Sequence, residues 1–355
     1  MTRKITIRKG FDAHVHLRHG EMMRNVLPYT ARQFAGGVAM GNLPGDAVID
    51  TIEKRSSYLR QAAAIAPNFK AIVPLMITKG SLEDKEIVFK ARDAGVKVFK
   101  FIPGGLTNNG ADGLTLYDFY SDPFISFLTF MEHYGIILSC HFEVGTDRLN
   151  NDAPIDPLNQ EKEAIRFLRY LLESFPRLKI IVEHASSAEM INFVERLPEQ
   201  YKVAATLTAH HALLTYPEVF GINGELISNL YCKPVAKYKD DLIAVKLAMC
   251  SGNSRFFAGT DSAPHLLEAK VRRENPAPGI FSAPIALQTY AQIFDSLDRI
   301  EYLENFTSVF GPQFYGIKPS DQTITLIKEL WIIPEMLHGI PVLMGGQKSF
   351  WDIEQ

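Results

Sequence analysis

Cysteine is scarce in this chain, and so is excess charge of either sign. Three cysteines, Cys140, Cys232 and Cys250, are scattered over 355 residues without a Cys-x-x-Cys spacing. That excludes a disulfide scaffold and fits a reducing compartment. They read as packing residues, with Cys140 of interest because it adjoins His141. The formal net charge is only -3 and no basic run occurs, so neither nucleic acid nor an acidic lipid surface is indicated as a partner. No apolar stretch is long enough to span a bilayer, and residues 1–9 are polar and lead straight into the first strand rather than forming a secretory leader. No membrane partner is expected, and the cytoplasm is the expected location. A Gly-x-Gly-x-x-Gly turn is also missing after the first strand, which argues against an open dinucleotide-binding sheet. What is present is a content of 46% hydrophobic and 22% charged residues, the composition of an ordinary globular protein.

Short β-rich runs alternate with amphipathic helical stretches, the pattern of a parallel α/β fold. Strands are expected at 9–16, 37–43, 70–77, 96–102, 135–143, 179–184, 203–208 and 255–261. A helix is expected after Pro157, where Ile165, Leu168, Leu172 and Phe175 recur at helical spacing and Pro176 ends the run. Eight strand–helix units in this length predict a (β/α)8 TIM barrel. No linker or shift in composition divides the chain, so residues 1–355 read as one domain, with the barrel at about 1–316 and a short C-terminal extension at about 317–355. The extension holds a strand-like 323–327 and an apolar run at 340–344, expected to pack on the barrel exterior.

Chemistry in such a barrel collects at the C-terminal ends of the strands. His14 and His16 are two apart on the first strand, so both imidazoles point one way, with Ala13 and Val15 expected on the opposite face. Asp12 shares the histidines' face and could fix a tautomer. Alone, such a pair is either a metal-ligand pair or an ordinary strand end, and only further ligands decide. Asn42 closes the second run, Lys100 the fourth, His141 the fifth, His184 the sixth and Asp261 the eighth. Four of the ten histidines thus stand at three strand ends, joined by an aspartate at another. Neutral imidazole with carboxylate is a ligand set for zinc or a similar first-row metal. Lys100 shares a face with Val96 and Val98, while Phe99 and Phe101 face the helices. A lysine ammonium inside the barrel beside metal ions would be repelled and poorly solvated, whereas a neutral amine can capture carbon dioxide and become a bridging carbamate.

These residues resemble the amidohydrolase superfamily and, within it, are similar to the bacterial single-domain dihydroorotases. The resemblance is carried by 12–18, 40–43, 100–103, Glu183-His184, Thr206-Leu207-Thr208 with His210 and His211, and Tyr231-Cys232-Lys233-Pro234. It is strongest at Gly259-Thr260-Asp261-Ser262-Ala263-Pro264-His265 and at Gly311-Pro312-Gln313-Phe314-Tyr315-Gly316. It implies two divalent metal ions, zinc being the expected identity: His14, His16 and Asp261 hold one, His141 and His184 the other, and N6-carboxylated Lys100 bridges them. It further implies that a bridging hydroxide attacks and that Asp261 acts as general base and then acid. The reaction implied is the reversible cyclisation of N-carbamoyl-L-aspartate to (S)-dihydroorotate with loss of water, in pyrimidine (UMP) synthesis. Arg18, Asn42 and His265 are expected to grip the substrate carboxylate, and backbone groups near Lys233, Pro278 and Gly279 to meet the ring. Thr107 and Asn108 lie in a Gly/Asn-rich loop expected to cover the substrate.

The chain departs from the family pattern in three places. Relatives often carry two threonines where Thr107 and Asn108 stand, an apolar residue can occupy the position of Lys233, and alanine is common at that of Pro278. His210 and His211 are extra histidines, read as lying behind the ligands. A homodimer is expected from the resemblance alone. The competing readings are a dihydropyrimidinase- or hydantoinase-like cyclic amidase, against which a carboxylate grip argues, and a catalytically silent scaffold.

Overall fold

The structure, a computed structural model, describes residues 3–84, 86–106, 113–221 and 223–354. Its centre is a parallel sheet wrapped by helices, laid down in two pieces. One piece runs Phe256–Ala258, Val203–Leu207, Ile180–Val182, Ile137–Cys140, Val98–Phe101 and Leu75–Met76 in spatial order. The other runs Gly10–Val15, Phe34–Ala39 and Lys70–Ile72. The expected strand at 70–77 is therefore split, and its halves pair with different neighbours. Pro74 lies in the break and has no N–H to give a ladder. At the other seam a single bridge, Val15 to Ser262, joins the pieces, reinforced by the Asp261 N–H on the His14 carbonyl at 2.8 Å and the His16 N–H on the Ser262 carbonyl at 3.0 Å. The closed eight-stranded ladder expected from the sequence is thus realised only in part.

Alternation explains most of what faces where. Val98, Ile137, Ile181, Ala204 and Phe257 fill the space inside the strands, whereas Phe99 and Phe101 face outward and pack on Phe127, Phe119 and Phe124 of the helical layer. Val96 precedes its strand and joins the outer core rather than sharing the face of Val98 and Lys100. The first strand also breaks the expected rule. Its register against Phe34–Ala39 slips between Asp12 and Val15, and a bulge of this kind re-aims side chains. Ala13 consequently packs inside with Phe11, while Val15 joins the outer core.

The helix expected after Pro157 spans Gln160–Ser174, buries Phe167, Leu168, Leu171 and Leu172, and ends with Phe175 at its C-cap. Near the chain's end, Thr323–Ile327 pairs antiparallel with Lys4–Arg8 and with Asp352–Ile353 outside the central sheet. Ile340, Val342 and Leu343 bury against Val26, Leu214, Ile280 and Phe281, and the Leu343 N–H donates to the Phe281 carbonyl at 3.0 Å. The tail therefore reaches the loops that follow Asp261. All three cysteines are free and buried, as packing residues should be. Among the described residues no helix is long and apolar enough to cross a membrane.

Candidate metal centre and substrate pocket

Every strand stops one to four residues short of its expected end; His14 and Lys100 lie within the last residues of their strands, whereas Asn42, His141, His184 and Asp261 sit just past theirs. His184 and Asp261 each take a left-handed backbone, with φ of 43° in both. Non-glycine residues held there are uncommon and cluster at functional sites. The turns lift the two side chains out of the ladder and into one pocket with His14, His16, Lys100 and His141.

Within that pocket the nitrogens and oxygens form two groups. His14 Nε2 lies 3.3 Å from His16 Nε2, and Asp261 Oδ1 lies 3.0 Å from His16 Nε2 and 3.4 Å from His14 Nε2. His141 Nδ1 and His184 Nε2 are 3.1 Å apart. Two nitrogen ligands at about 2.0–2.1 Å from a tetrahedral zinc stand about 3.3 Å from each other, so both groups have the edge lengths of a metal's coordination shell. Each is also turned by an outer carboxylate. His14 Nδ1 donates to Glu183 Oε2 at 2.7 Å and His141 Nε2 donates to Glu143 Oε2 at 2.6 Å, which leaves the opposite nitrogen of each ring bare for a cation.

Charge and burial suit ligands. Desolvation lowers the pKa of His16 to about 4 and holds that of His184 well below its ordinary value, so both rings are neutral. Burial alone would raise the Asp261 pKa, but the His16 hydrogen bond and the electrostatic attraction of the neighbouring His14 and His16 rings outweigh it and keep the group a carboxylate. Glu183 is likewise held down to about 2: burial opposes this, while His14, Lys100 and the bonds from His14 and Ser139 win. Lys100 is fully buried, and its Nζ has no hydrogen-bond partner among the described residues. Desolvation lowers its pKa. A buried, unpartnered amine close to both imidazole groups is the arrangement that carbamate formation would relieve.

The residues expected to grip a carboxylate stand beside this centre. Arg18, itself left-handed at φ 58°, donates from Nη2 to His265 Nε2 at 2.8 Å and from Nε to the Pro264 carbonyl at 3.1 Å. Desolvation, then the Arg18 charge, lowers the His265 pKa to about 2, so this ring is a neutral acceptor. Asn42, Lys233, Pro278 and Gly279 line the same pocket. Gly279 has φ 141°, and a Cβ there would come within 2.6 Å of the Ala263 carbonyl oxygen, so only glycine passes. Thr107 and Asn108 lie outside the described residues.

Two expectations need correction or completion. Asp12 does not orient the imidazoles. Its carboxylate accepts from the Thr260 N–H at 2.9 Å and the Thr260 hydroxyl at 2.7 Å, tying the first strand to the last, and the bulge at 12–15 is the reason. His210 and His211 lie outside the pocket lining: His211 is fixed by Thr208 Oγ1 at 2.8 Å and the Pro234 carbonyl at 2.9 Å, close to Cys232. The sequence reading missed Glu183 and Glu143 as orienting groups. A carboxylate adjoining one ligand histidine and another two residues after a second was the available signal.

No family model matches the chain. Curated relatives do. The dihydroorotase of Microcystis aeruginosa is 35% identical over 99% of both chains, and that of Nitrosomonas eutropha is 36% identical over 99% of both. Among solved structures, the Saccharomyces cerevisiae dihydroorotase in complex with 5-fluoroorotic acid superposes with a TM-score of 0.90 at 30% identity, over 99% of this chain and 98% of that one. The L-hydantoinase of Arthrobacter aurescens, at 15% identity and a TM-score of 0.77 over 99% of this chain and 83% of that one, shares the fold alone. These neighbours are TIM-barrel amidohydrolases, and at this identity over the whole length the chain belongs to the dihydroorotase family, hydrolases that act on a cyclic amide.

Proposed function

We propose that this dihydroorotase interconverts N-carbamoyl-L-aspartate and (S)-dihydroorotate at two divalent cations, with zinc the favoured ion. His14, His16 and Asp261 would hold one cation, His141 and His184 the other, and a carboxylated Lys100 would lie between them. Such cations supply Lewis acidity, making water a nucleophile at neutral pH and polarising the scissile carbonyl. The observation that carries the substrate assignment is the Arg18–His265 pair at 2.8 Å on the rim of the imidazole clusters.

Arg18 is held by two acceptors that are not carboxylates, so its remaining N–H groups and its charge are available to the substrate's own carboxylate. Asn42 and His265 border the same space. In ring opening, water oxygen bonds to the ring carbonyl carbon and the amide C–N bond breaks. Asp261 takes the proton from the water and passes it to the departing nitrogen, which leaves as the ureido NH2. Ring closure reverses each step. Main chain at Lys233, Pro278 and Gly279 would meet the ring, and the resemblance adds Thr107 and Asn108 as expected contacts. The same reading takes the chain as one domain working as a cytoplasmic homodimer on a small molecule.

The hydantoinase-like alternative lacks a use for a half-buried cationic grip, since its substrates are uncharged rings. The test compares kcat/KM for dihydroorotate and dihydrouracil on metal-analysed protein. A preference for dihydrouracil refutes the assignment. Fewer than about two metals per chain in active protein refutes the paired centre.

A further inference from the structure

The ring-facing wall of the pocket comes from two separate segments, one around Lys233 and one at Pro278–Gly279. A buried cation joins them. Lys270 ends the short helix Leu267–Lys270 and is only 2% exposed. Its Nζ donates to the Tyr231 carbonyl at 2.9 Å and to the Gly279 carbonyl at 2.5 Å. The Gly279 N–H also donates to the Tyr231 carbonyl, at 2.9 Å. Three hydrogen bonds therefore lock the two segments together, and two of them are charge-assisted. Burying an ammonium against carbonyls instead of a carboxylate is costly, which makes it an unusual choice for mere packing.

We propose that Lys270 is a positioning residue for ring recognition: by clamping the Tyr231 and Gly279 carbonyls it fixes the main-chain edge that Lys233, Pro278 and Gly279 present to the substrate's amide ring. The inference rests on the ring-binding part of the function proposed above. It is distinct from the carboxylate grip, which Arg18 forms without Lys270. It also has a pH consequence. Burial lowers the Lys270 pKa to about 8, so the clamp weakens in mildly alkaline solution. The titratable groups that sense Lys270 do not change there: the Cys232 thiol is pushed up to about 12 by burial, and His265 and His210 are already neutral.

The experiment titrates 5-fluoroorotate into the metal-loaded full chain by calorimetry at pH 7 and pH 9, for wild type, Lys270→Met and Lys270→Arg, alongside metal content and KM and kcat for dihydroorotate. Loss of two charge-assisted bonds predicts a Kd and KM about tenfold higher in Lys270→Met, with unchanged metal content and kcat within about threefold. Wild type should lose more affinity between pH 7 and pH 9 than Lys270→Arg, whose guanidinium keeps its charge. Equal Kd in wild type and Lys270→Met overturns the clamp and leaves the ring-binding reading standing. A wild type that does not bind 5-fluoroorotate overturns that reading and the clamp with it. If Lys270→Met fails to fold, the pH comparison decides: a wild-type pH response no steeper than that of Lys270→Arg refutes the proposal.

Discussion

Replacing Glu183 by glutamine tests whether the outer carboxylates tune the metal centre or only fill space. Glu183 Oε2 accepts from His14 Nδ1 at 2.7 Å and from Thr206 Oγ1 at 2.7 Å, and Oε1 accepts from Ser139 Oγ at 2.5 Å. Glutamine has the same shape. With its oxygen at the Oε2 position it can still accept from His14 and Thr206, and its amide can donate to the Ser139 hydroxyl once that rotates. The geometry survives and the charge does not. What is lost is the carboxylate's push on the His14 imidazole, and outer-shell changes of this kind weaken metal binding by about 10- to 100-fold. That corresponds to roughly 1.4–2.8 kcal/mol. The assay is competition of the loaded full chain against a chromophoric chelator, with metal content measured in parallel. Ser139→Ala is the control, because it removes one bond from Glu183 without touching His14. A Glu183→Gln protein that holds metal as tightly as wild type would refute the reasoning, and so would a Ser139→Ala protein that loses metal equally.

Lys100→Ala should lose metal and turnover together, by elemental analysis and activity assay; a variant with both metals and full turnover excludes a bridging role. Arg18→Met should raise KM for dihydroorotate about 10- to 100-fold, from loss of charge-assisted bonds to the substrate carboxylate, while any slow hydrolysis of dihydrouracil stays unchanged. An equal loss on both substrates would show Arg18 to be structural. Lys237→Met strands the buried Glu161 carboxylate, which pairs with Lys237 Nζ at 3.0 Å and accepts the Ser186 N–H at 2.9 Å. Denaturant unfolding should show a loss of about 3–5 kcal/mol. Burial opposes ionisation of Glu161, but Lys237 and the Ser186 bonds win and lower its pKa below the ordinary glutamate value. Its contribution is therefore fully present above that value and is lost as pH falls below it, so wild type and variant should converge in stability in acid. A gap that persists unchanged with pH sinks this account.

The parts of the fold that follow from alternation were legible in the residues themselves. Val98 inside and Phe99 and Phe101 outside required only a period of two. Periodicity fails where the backbone leaves the ladder, and the site is built from those departures. The slip between Asp12 and Val15 sends Asp12 to Thr260 and not to the imidazoles, so the group that does orient His14 is Glu183, distant in sequence and carried by a different strand end. His184, Asp261 and Arg18 take left-handed conformations that no side-chain pattern announces.

The buried lysines expose a different limit. Lys100 stood out because it interrupts an apolar run, and its burial with no hydrogen-bond partner among the described residues is the physical counterpart of that interruption. Lys237 and Lys270 interrupt nothing conspicuous in sequence, since each sits in a loop or at a helix end where lysine is ordinary. Only the folded chain brings one onto Glu161 and Ser186 and the other onto two carbonyls. Both anchor the segment 231–237, one at each end. That segment carries a wall of the pocket, so on the clamp proposed for Lys270 its position depends on charges that stand outside the pocket lining. Selection for the substrate ring and for a firm wall would then act on the same few residues, and loosening either lysine should cost affinity before it costs chemistry.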